Sequence, residues 1–344
     1  YNELQANSIY KFYQAFQANE LEYNKFYLTL NKQESVKIIN DEYNTVGEEN
    51  TKQIKDSLPE IHKNIVLITV ESLSAYYIKY FGGKKNITPT IDGLINKSMC
   101  FDNLYANGNR TVRGLEAVTL CVPPTQGESV IKGKGNKNFF STADVFREKG
   151  YKVQFLYGGD SYFDNMQEFF SSNGYQILDQ KTMKPNDITY KTIWGVCDED
   201  LFNYAINTFD NNAKTNQPFF AHIMTVSNHR PFLYPENKIN ISPKKKSRDG
   251  GVKYTDYAIK QFLEKASQKP WFNNTIFVIT ADHCASSAGE SSIPIDNYHI
   301  PCLIFAPNFI KPQKVETLCS QIDIMPTVFS LLHFSYTSHF YGQD

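Results

Sequence analysis

The sequence predicts an α/β fold in which a mostly parallel central sheet carries helices on both faces, with a small C-terminal subdomain. The first observation is a regular alternation, because short apolar runs that suit buried strands are separated by stretches with helical spacing. The second is the placement of polar residues, which directly follow four of the apolar runs. Both patterns are typical of open α/β sheets that bind a ligand at one edge.

Five apolar runs are predicted as strands, with helical stretches between them. The strands cover residues 64–70, 151–157, 218–226, 275–280 and 300–307, and an F-x-N-x-Y pattern at 101–105 indicates another. The helical spacing covers residues 89–98, 112–120, 162–174, 198–209 and 252–268. Along the chain, residues 1–60 are predicted as an N-terminal helical arm, 61–308 as the core, and 309–344 as a closing segment of the same domain.

The composition supports a folded core and gives no sign of nucleic-acid binding. Apolar residues make up 41% of the 344 residues, and 35 basic residues balance 36 acidic ones, so no net positive field attracts nucleic acid. A basic cluster at residues 244–248 is predicted as a solvated loop, with a contact for anionic lipid as the alternative. No run approaches the roughly 18 apolar residues that a membrane span needs.

Six cysteines are spread along the chain without any C-x-x-C pair, which excludes a zinc ribbon or a thioredoxin motif. They are Cys100, Cys121, Cys197, Cys284, Cys302 and Cys319. Because most lie in apolar surroundings, we expect buried thiols rather than a disulfide framework.

Polar residues follow the strands at 64–70, 151–157, 218–226 and 275–280. The exits are Glu71-Ser72, Gly158-Gly159-Asp160, Ser227-Asn228-His229 and Asp282-His283. If these strands are parallel, all four exits lie at the same edge of the sheet. A carboxylate at a strand exit can also cap the next helix, but four such exits together predict a functional site.

A divalent cation suits the residues at two of these exits. Glu71, Asp282 and His283 offer two carboxylates and one imidazole, a set that favours Mn²⁺ or Zn²⁺ over the all-oxygen shells of Mg²⁺ and Ca²⁺. Three protein ligands leave a position open for a nucleophile or a substrate, as in catalytic metal sites.

Thr111 is a candidate nucleophile. It lies between the turn-like "NGNR" and a helical stretch, where free backbone N–H groups favour negative charge. A cation beside its hydroxyl would make the proton easier to lose, as it does for metal-bound water. The alternative, in which Thr111 only caps the helix, stays open on the residues alone.

Six motifs follow one another in order along the chain, namely "VESLS", "GNRTVRGLEAVTL", "YGGDSYFDNMQEFF", "WGVCDEDLF", "SNHRPF" and "ADH". As an ordered set over residues 60–330, they resemble the lipoteichoic-acid-synthase-like branch of the alkaline phosphatase and sulfatase superfamily. The resemblance implies a sulfatase-like catalytic core outside the cytoplasm, held at the cell membrane through a preceding N-terminal region. It implies a transferase that moves phosphoglycerol from phosphatidylglycerol to a glycan or polymer hydroxyl, through a threonine ester formed at a manganese ion.

The same resemblance assigns roles to individual residues. The metal ligands would be Glu71, Thr111, Asp282 and His283, with Thr111 as the nucleophile and Mn²⁺ as the ion (Zn²⁺ or Mg²⁺ as alternatives). His229 would bind the substrate phosphate and protonate the leaving group. The substrate would also meet Tyr157, Asp160, Phe163, Asn165 and Trp194, the last of these chiefly as a scaffold residue. This loop lacks the initial His and the later Trp-Asn-Arg of the Gram-positive synthases.

Several other functions fit parts of the sequence. A sulfatase would modify a cysteine in C-x-P-x-R, but the residue four after Cys121 is Thr125 instead of arginine. In sulfatases the modified residue also falls about ten residues after the Phe of an F-x-N-x-Y strand, and here that position, counted from Phe101, is Thr111. A phosphoethanolamine transferase would bring extra histidines, of which His299 is the spare candidate. His299 is predicted to lie on the wrong side of its strand for the site, unless the preceding loop folds over. A phosphodiesterase that uses water as acceptor and a degenerate binding domain complete the alternatives.

Overall fold

The computed structural model describes residues 7–17, 21–48, 50–285 and 294–344. Within these ranges the chain forms one eight-stranded mixed sheet and one two-stranded sheet. The strands are β1 (Lys52–Ile54), β2 (Asn64–Val70), β3 (Met99–Tyr105), β4 (Lys152–Tyr157), β5 (Gln176–Asp179), β6 (Phe219–Met224), β7 (Thr275–Ala281), β8 (Cys302–Phe305), β9 (Gln313–Ser320) and β10 (Tyr336–Ser338). The order in the large sheet is β5-β4-β6-β2-β7-β8-β3-β9.

The centre of the large sheet is parallel and buried. β2 pairs in parallel with β6 on one side and β7 on the other, and β4 continues the parallel series beyond β6. Every residue of β2, β6 and β7 is buried, so both faces of these strands are covered, which explains their nearly continuous apolar sequences. The α/β fold with a mostly parallel sheet is therefore confirmed, and the carboxyl ends of β2, β4, β6 and β7 share one edge.

Helices cover the sheet in two packed groups, one containing α4, α8 and α9 and the other α5, α6 and α10. The helices are α1 (Ser8–Gln17), α2 (Tyr23–Phe26), α3 (Lys32–Tyr43), α4 (Pro89–Ile95), α5 (Thr111–Leu120), α6 (Thr142–Glu148), α7 (Met166–Ser172), α8 (Asp198–Ala213), α9 (Arg248–Ala266) and α10 (Ile324–Leu331). α4 ends earlier than predicted because β3 begins at Met99.

The predicted strand at 300–307 forms as β8, but it runs antiparallel to both of its neighbours, β7 and β3. The amino end of β8 therefore lies at the edge where the parallel strands end. This corrects the prediction for His299, which bridges to Tyr105 at that edge rather than at the opposite one. The apolar pattern of a buried strand carries no information about its direction.

The predicted N-terminal arm and the predicted closing segment each contribute one strand to the two-stranded sheet. β1, from the predicted N-terminal arm, pairs antiparallel with β10, from the predicted closing segment, while β9 forms an edge of the large sheet beside β3. The predicted division at residues 60 and 308 stays a prediction. Among the described residues, no helix combines the length and the apolar character that a bilayer crossing needs.

Candidate active site

The carboxyl ends of β2 and β7 bring together three side chains with metal-binding atoms. One such atom each from Glu71, Asp282 and His283 lie within 4.8 Å of one another. The Nε2 atom of His283 is 3.4 Å from Asp282 Oδ2 and 3.9 Å from Glu71 Oε1. The parallel pairing of β2 with β7, in which Val70 lies opposite Ala281, places these residues side by side.

Local hydrogen bonds orient each of these side chains. The backbone N–H groups of Ser72 and His283 both donate to Asp282 Oδ1 at 2.7 Å, and the Ser72 hydroxyl donates to Glu71 Oε1 at 2.6 Å. His283 Nδ1 is 2.8 Å from the backbone oxygen of Cys284, so Nδ1 carries the proton and Nε2 is left to bind. These contacts orient the two carboxylates and the His283 Nε2 atom towards the same point.

Burial and neighbouring charges shift the pKa values of Asp282 and His283. Burial, followed by the charge of Glu71, raises the pKa of Asp282 to about 7. Burial by itself would lower the pKa of His283, but the charges of Asp282 and Glu71 outweigh it, so this pKa is raised. Below about pH 7, Asp282 therefore retains a proton unless another positive charge is present.

A divalent cation fits the cluster. Asp282 Oδ2 is buried and accepts no hydrogen bond from the described part of the chain, which is costly for a carboxylate oxygen. A cation held by Glu71, Asp282 and His283 would satisfy this oxygen and offset the repulsion between the carboxylates. The mixture of carboxylate and imidazole donors suits Mn²⁺ or Zn²⁺.

Thr111 adjoins the cluster at the start of α5. Its hydroxyl donates to Glu71 Oε2 at 3.3 Å, and the N-cap position is taken by Arg110. Thr111 is thus the first residue of the helix rather than its N-cap, and its side chain contacts one of the candidate metal ligands. Its role as the nucleophile stays a prediction.

Two further residues hold α5 and β7 in place. A β-carbon at Gly114 would lie 2.1 Å from the backbone oxygen of Asp282, so only glycine permits the observed approach. Gln321 is fully buried, donates from Nε2 to the backbone oxygens of Ala281 and Asp282 at 2.8 Å, and accepts from the Asn107 N–H. Gln321 therefore links the strand of the metal ligands to the loop before the nucleophile.

His229 lies on the turn after β6 and packs against Trp194, with 3.8 Å between ring centroids and the ring planes tilted by 42°. Its Nδ1 lies 2.9 Å from the backbone oxygen of Arg230, which leaves Nε2 as the free ring nitrogen. The buried Asp198 carboxylate organises the turn, because it accepts from the N–H groups of Val226 and Ser227. In the sequence Asp198 stands within the "WGVCDEDLF" motif, and only the fold shows its contacts with the turn.

These residues surround a cavity of about 480 Å³. The predicted substrate residues Tyr157, Phe163, Trp194 and His229 line it, together with Glu71, Thr111 and His283. Asp160 and Asn165 are not among its lining residues. Asp160 pairs with Lys181 at 2.7 Å, and the Asn165 amide donates to the backbone oxygen of Ile131, so local contacts occupy both side chains.

Sequence reasoning missed the cationic wall of the cavity. Arg110, Arg230 and Arg248 all line it. The basic cluster was predicted as a solvated loop, and this is wrong for Arg248. That residue begins α9, donates to the backbone oxygen of Asn228 at 2.8 Å and stacks over the ring of Phe232. Its position after three exposed lysines gave no signal that it would reach the site.

Cys121 and His299 are engaged away from the metal-binding residues. Cys121 is fully buried at the end of α5, about 15 Å along the helix axis from Thr111. His299 contacts the backbone oxygen of Asp102 through Nε2 and stacks on Tyr105. All six cysteines are free, and five are buried.

Sequence comparison identifies relatives over most of the chain. A family model described as Sulfatase matches residues 63–334. The chain is 24% identical over 297 residues to "Lipoteichoic acid synthase-like YvgJ" of Bacillus subtilis, covering 78% of this chain and 47% of that protein. It is 25% identical over 253 residues to "Phosphoglycerol transferase I" of Escherichia fergusonii, covering 68% and 32%. The chain thus spans about half and about a third of these relatives.

Solved structures show the same architecture. An alkaline phosphatase superfamily protein from Vibrio parahaemolyticus superimposes with a TM-score of 0.85 and 35% identity, covering 92% of this chain and 78% of that one. The lipoteichoic acid synthase LtaP from Listeria monocytogenes shares the fold, with a TM-score of 0.74, 24% identity and coverages of 90% and 81%. By family match, identity and fold, the chain belongs to the Sulfatase family of the alkaline phosphatase superfamily.

Proposed function

We propose that this chain is the catalytic part of a metal-dependent transferase that moves phosphoglycerol from phosphatidylglycerol to a hydroxyl of a glycan or polymer. The observation that carries the proposal is the contact between the Thr111 hydroxyl and Glu71, and it supports Thr111 as a nucleophile beside Asp282 and His283. The names of the relatives, lipoteichoic acid synthase and phosphoglycerol transferase, support the donor and acceptor classes.

The metal site supplies the activation. Glu71, Asp282 and His283 would hold the cation, with Mn²⁺ as the proposed ion, and when bound it would lower the pKa of the Thr111 hydroxyl and withdraw charge from the phosphoryl oxygens. The protein's own part is placement, because Glu71 orients Thr111 and Ser72 orients both carboxylates.

The reaction then proceeds in two displacements at phosphorus. In the first, Thr111 Oγ1 loses its proton to water and bonds to phosphorus, the bond from phosphorus to the diacylglycerol oxygen breaks, and protonated His229 Nε2 gives its proton to that oxygen. In the second, His229 Nε2 accepts the proton of the acceptor hydroxyl, whose oxygen bonds to phosphorus as the bond to Thr111 Oγ1 breaks, and Thr111 Oγ1 takes a proton back from water. Trp194 and the backbone of Arg230 hold the imidazole in orientation for both steps.

The arginines support an anionic donor. Arg248, Arg110 and Arg230 offer positive charge along the cavity, where a phosphodiester would be bound and its developing charge stabilised. They compensate for the arginine that the "YGGDSYFDN" loop lacks. Tyr157 contributes a neutral hydroxyl, because burial and nearby carboxylates raise the pKa of its phenol.

The location follows from the substrate. A phospholipid donor places the catalytic part at the cell membrane, and a glycan or polymer acceptor places it on the extracytoplasmic side. The membrane attachment would come from a region preceding this sequence.

Intact-mass spectrometry tests the chemistry directly. The protein with Mn²⁺ is incubated with phosphatidylglycerol or phosphatidylethanolamine, without acceptor. We expect a covalent adduct of glycerophosphate mass on Thr111 from phosphatidylglycerol. The adduct should be absent in Thr111→Ala and retained in Thr119→Ala, which removes the same atoms from the buried far end of α5.

Each other outcome identifies an alternative. A phosphoethanolamine adduct would assign the other donor, and release of free glycerophosphate without acceptor would assign a phosphodiesterase. Full turnover by Thr111→Ala would refute the threonine ester. Absence of any adduct and of any Mn²⁺-dependent rise in melting temperature would favour a binding domain.

A further inference from the structure

Large apolar side chains at the mouth of the cavity are exposed to solvent. Ile193 is 88% exposed, Tyr162 79% and Phe163 47%. Phe163 lines the cavity, Tyr162 directly precedes it, and Ile193 directly precedes the cavity-lining Trp194. Phe163 and Trp194 meet edge to face with 5.6 Å between ring centroids, which joins the loop after β4 to the loop before α8. We name Tyr162, Phe163 and Ile193 the apolar lip.

Two exposed cations lie beside the apolar lip. Lys191 and Arg230 are exposed, and neither makes an ion pair within the described residues. Lys191 is close enough to Asp160 to help lower the pKa of that carboxyl, after the larger effect of Lys181. Arg230 lies beside the lip, because its backbone oxygen accepts a hydrogen bond from the Trp194 indole and Trp194 contacts Phe163.

The nearby acids do not cancel this charge. Asp160 is paired with Lys181 at 2.7 Å. Lys132 lies 3.3 Å from Glu128 and 3.6 Å from Asp164, so that with Lys191 and Arg230 four cations stand against three carboxylates. The lip therefore combines exposed apolar groups with a surplus of cations, which is the combination that binds the interface of an anionic bilayer.

We propose that the apolar lip docks on the surface of a bilayer that contains anionic phospholipid. Ile193, Tyr162 and Phe163 enter the boundary between headgroups and acyl chains, while Lys191 and Arg230 contact lipid phosphates. Docking sets the cavity mouth against the membrane, so that a headgroup enters the cavity while its acyl chains stay in the bilayer. The proposal takes the lipid donor from the proposed function, but the docking itself is measurable without turnover.

The chain contains a natural reporter of this docking. It has two tryptophans, of which Trp271 is buried and Trp194 lies at the lip. In a Trp271→Phe background, emission arises from Trp194 alone. Vesicles of phosphatidylcholine, and of equal parts phosphatidylcholine and phosphatidylglycerol, are added in the presence of a chelator so that no turnover occurs.

We expect the Trp194 emission to shift to shorter wavelength with the anionic vesicles and to shift less with phosphatidylcholine alone. Ile193→Glu and Tyr162→Glu should each weaken vesicle binding by roughly tenfold, because a carboxylate replaces an apolar group at the interface. The matched control is Leu318→Glu, since Leu318 is 76% exposed on the edge strand β9 and should leave binding unchanged.

Three outcomes would overturn the proposal. The first is unchanged vesicle binding by both lip variants, and the second is an equal loss in Leu318→Glu. The third is a change of sedimentation in the lip variants without loss of vesicle binding, which would show that a second copy of the chain covers the lip. Failure of the proposed function would instead appear as no adduct on Thr111 while lip-dependent vesicle binding persists.

Discussion

Gly114 and Asp282 are in direct backbone contact, because a β-carbon at position 114 would lie 2.1 Å from the Asp282 backbone oxygen. This contact sets the first turn of α5 against the exit of β7. It joins the helix that begins with Thr111 to the strand that ends in two candidate metal ligands. The distance between nucleophile and metal site therefore depends on a position without a side chain.

Substituting this glycine should damage the site more than the fold. In Gly114→Ala the new methyl group meets backbone atoms, so α5 must shift away from Asp282, and a shift near 1 Å can lower turnover by about 100-fold. We also expect a smaller Mn²⁺-induced rise in melting temperature. Gly93→Ala in α4, where nothing lies within 4 Å, is the control and should leave both unchanged. Equal turnover in the two variants would contradict the packing argument.

Asp282→Asn should separate metal binding from stability. The amide keeps the oxygen that accepts from Ser72 and His283, and it removes a buried negative charge beside Glu71. We expect the metal-free variant to be more stable than the metal-free parent at pH 8, by about 1–2 kcal/mol, and to lose stabilisation by Mn²⁺. Denaturant titrations with and without Mn²⁺ measure both, with the exposed Asp187→Asn as control. A variant that Mn²⁺ still stabilises would rule out Asp282 as a ligand.

Stabilisation by the cation should increase with pH. Because burial and Glu71 raise the pKa of Asp282 to about 7, the folded metal-free protein retains a proton there that the unfolded chain releases near pH 4. This stabilising contribution is complete below about pH 4 and is lost as the pH rises through 7, and the raised pKa of His283 acts in the same direction.

The cation displaces this proton, so it competes less well at pH 6 than at pH 8. We expect Mn²⁺ to stabilise the protein by about 1–2 kcal/mol more at pH 8, as one pH unit of competition corresponds to about 1.4 kcal/mol. Unfolding curves at the two pH values test this. A pH-independent metal effect would show that Asp282 and His283 are not protonated in the metal-free protein.

Gln321 is expected to act as a positioning residue. Gln321→Ala leaves the buried carbonyls of Ala281 and Asp282 and the N–H of Asn107 without the hydrogen bonds to this side chain. This loss should lower the free energy of unfolding by about 2–4 kcal/mol. The Mn²⁺ affinity should also fall, which a merely structural role would not require. The exposed Gln268→Ala serves as control. Unchanged Mn²⁺ affinity in a folded Gln321→Ala would limit this residue to stability.

Arg248 should govern donor binding. Arg248→Met removes a cation from the cavity wall and the contact with the Asn228 backbone oxygen, so KM for the donor should rise by about tenfold or more, with a smaller change in kcat. Arg248→Lys should recover part of this loss, because it restores the charge without the planar fork. Lys260→Met, exposed on the same helix, should not change KM. An unchanged KM in Arg248→Met would place the donor elsewhere.

The sequence by itself determined the parallel core and the edge where the candidate site lies. β2 matches its predicted range at 64–70, and β7 extends the predicted strand by one residue. Such buried strands are local apolar runs, so their polar exits at Glu71 and Asp282-His283 can be read along the chain. Thr111 was likewise placed at a helix start from neighbouring residues alone.

Only the tertiary structure decided which distant residues join this edge. The antiparallel pairing of β8 moved His299 to it, α9 brought in Arg248, and the last segment of the chain supplied Gln321. Local contacts kept Asp160 and Asn165 out of the cavity wall. Strand direction and long-range hydrogen bonds arise from pairing between segments far apart in sequence, whereas apolar periodicity reports only which face of each segment is buried.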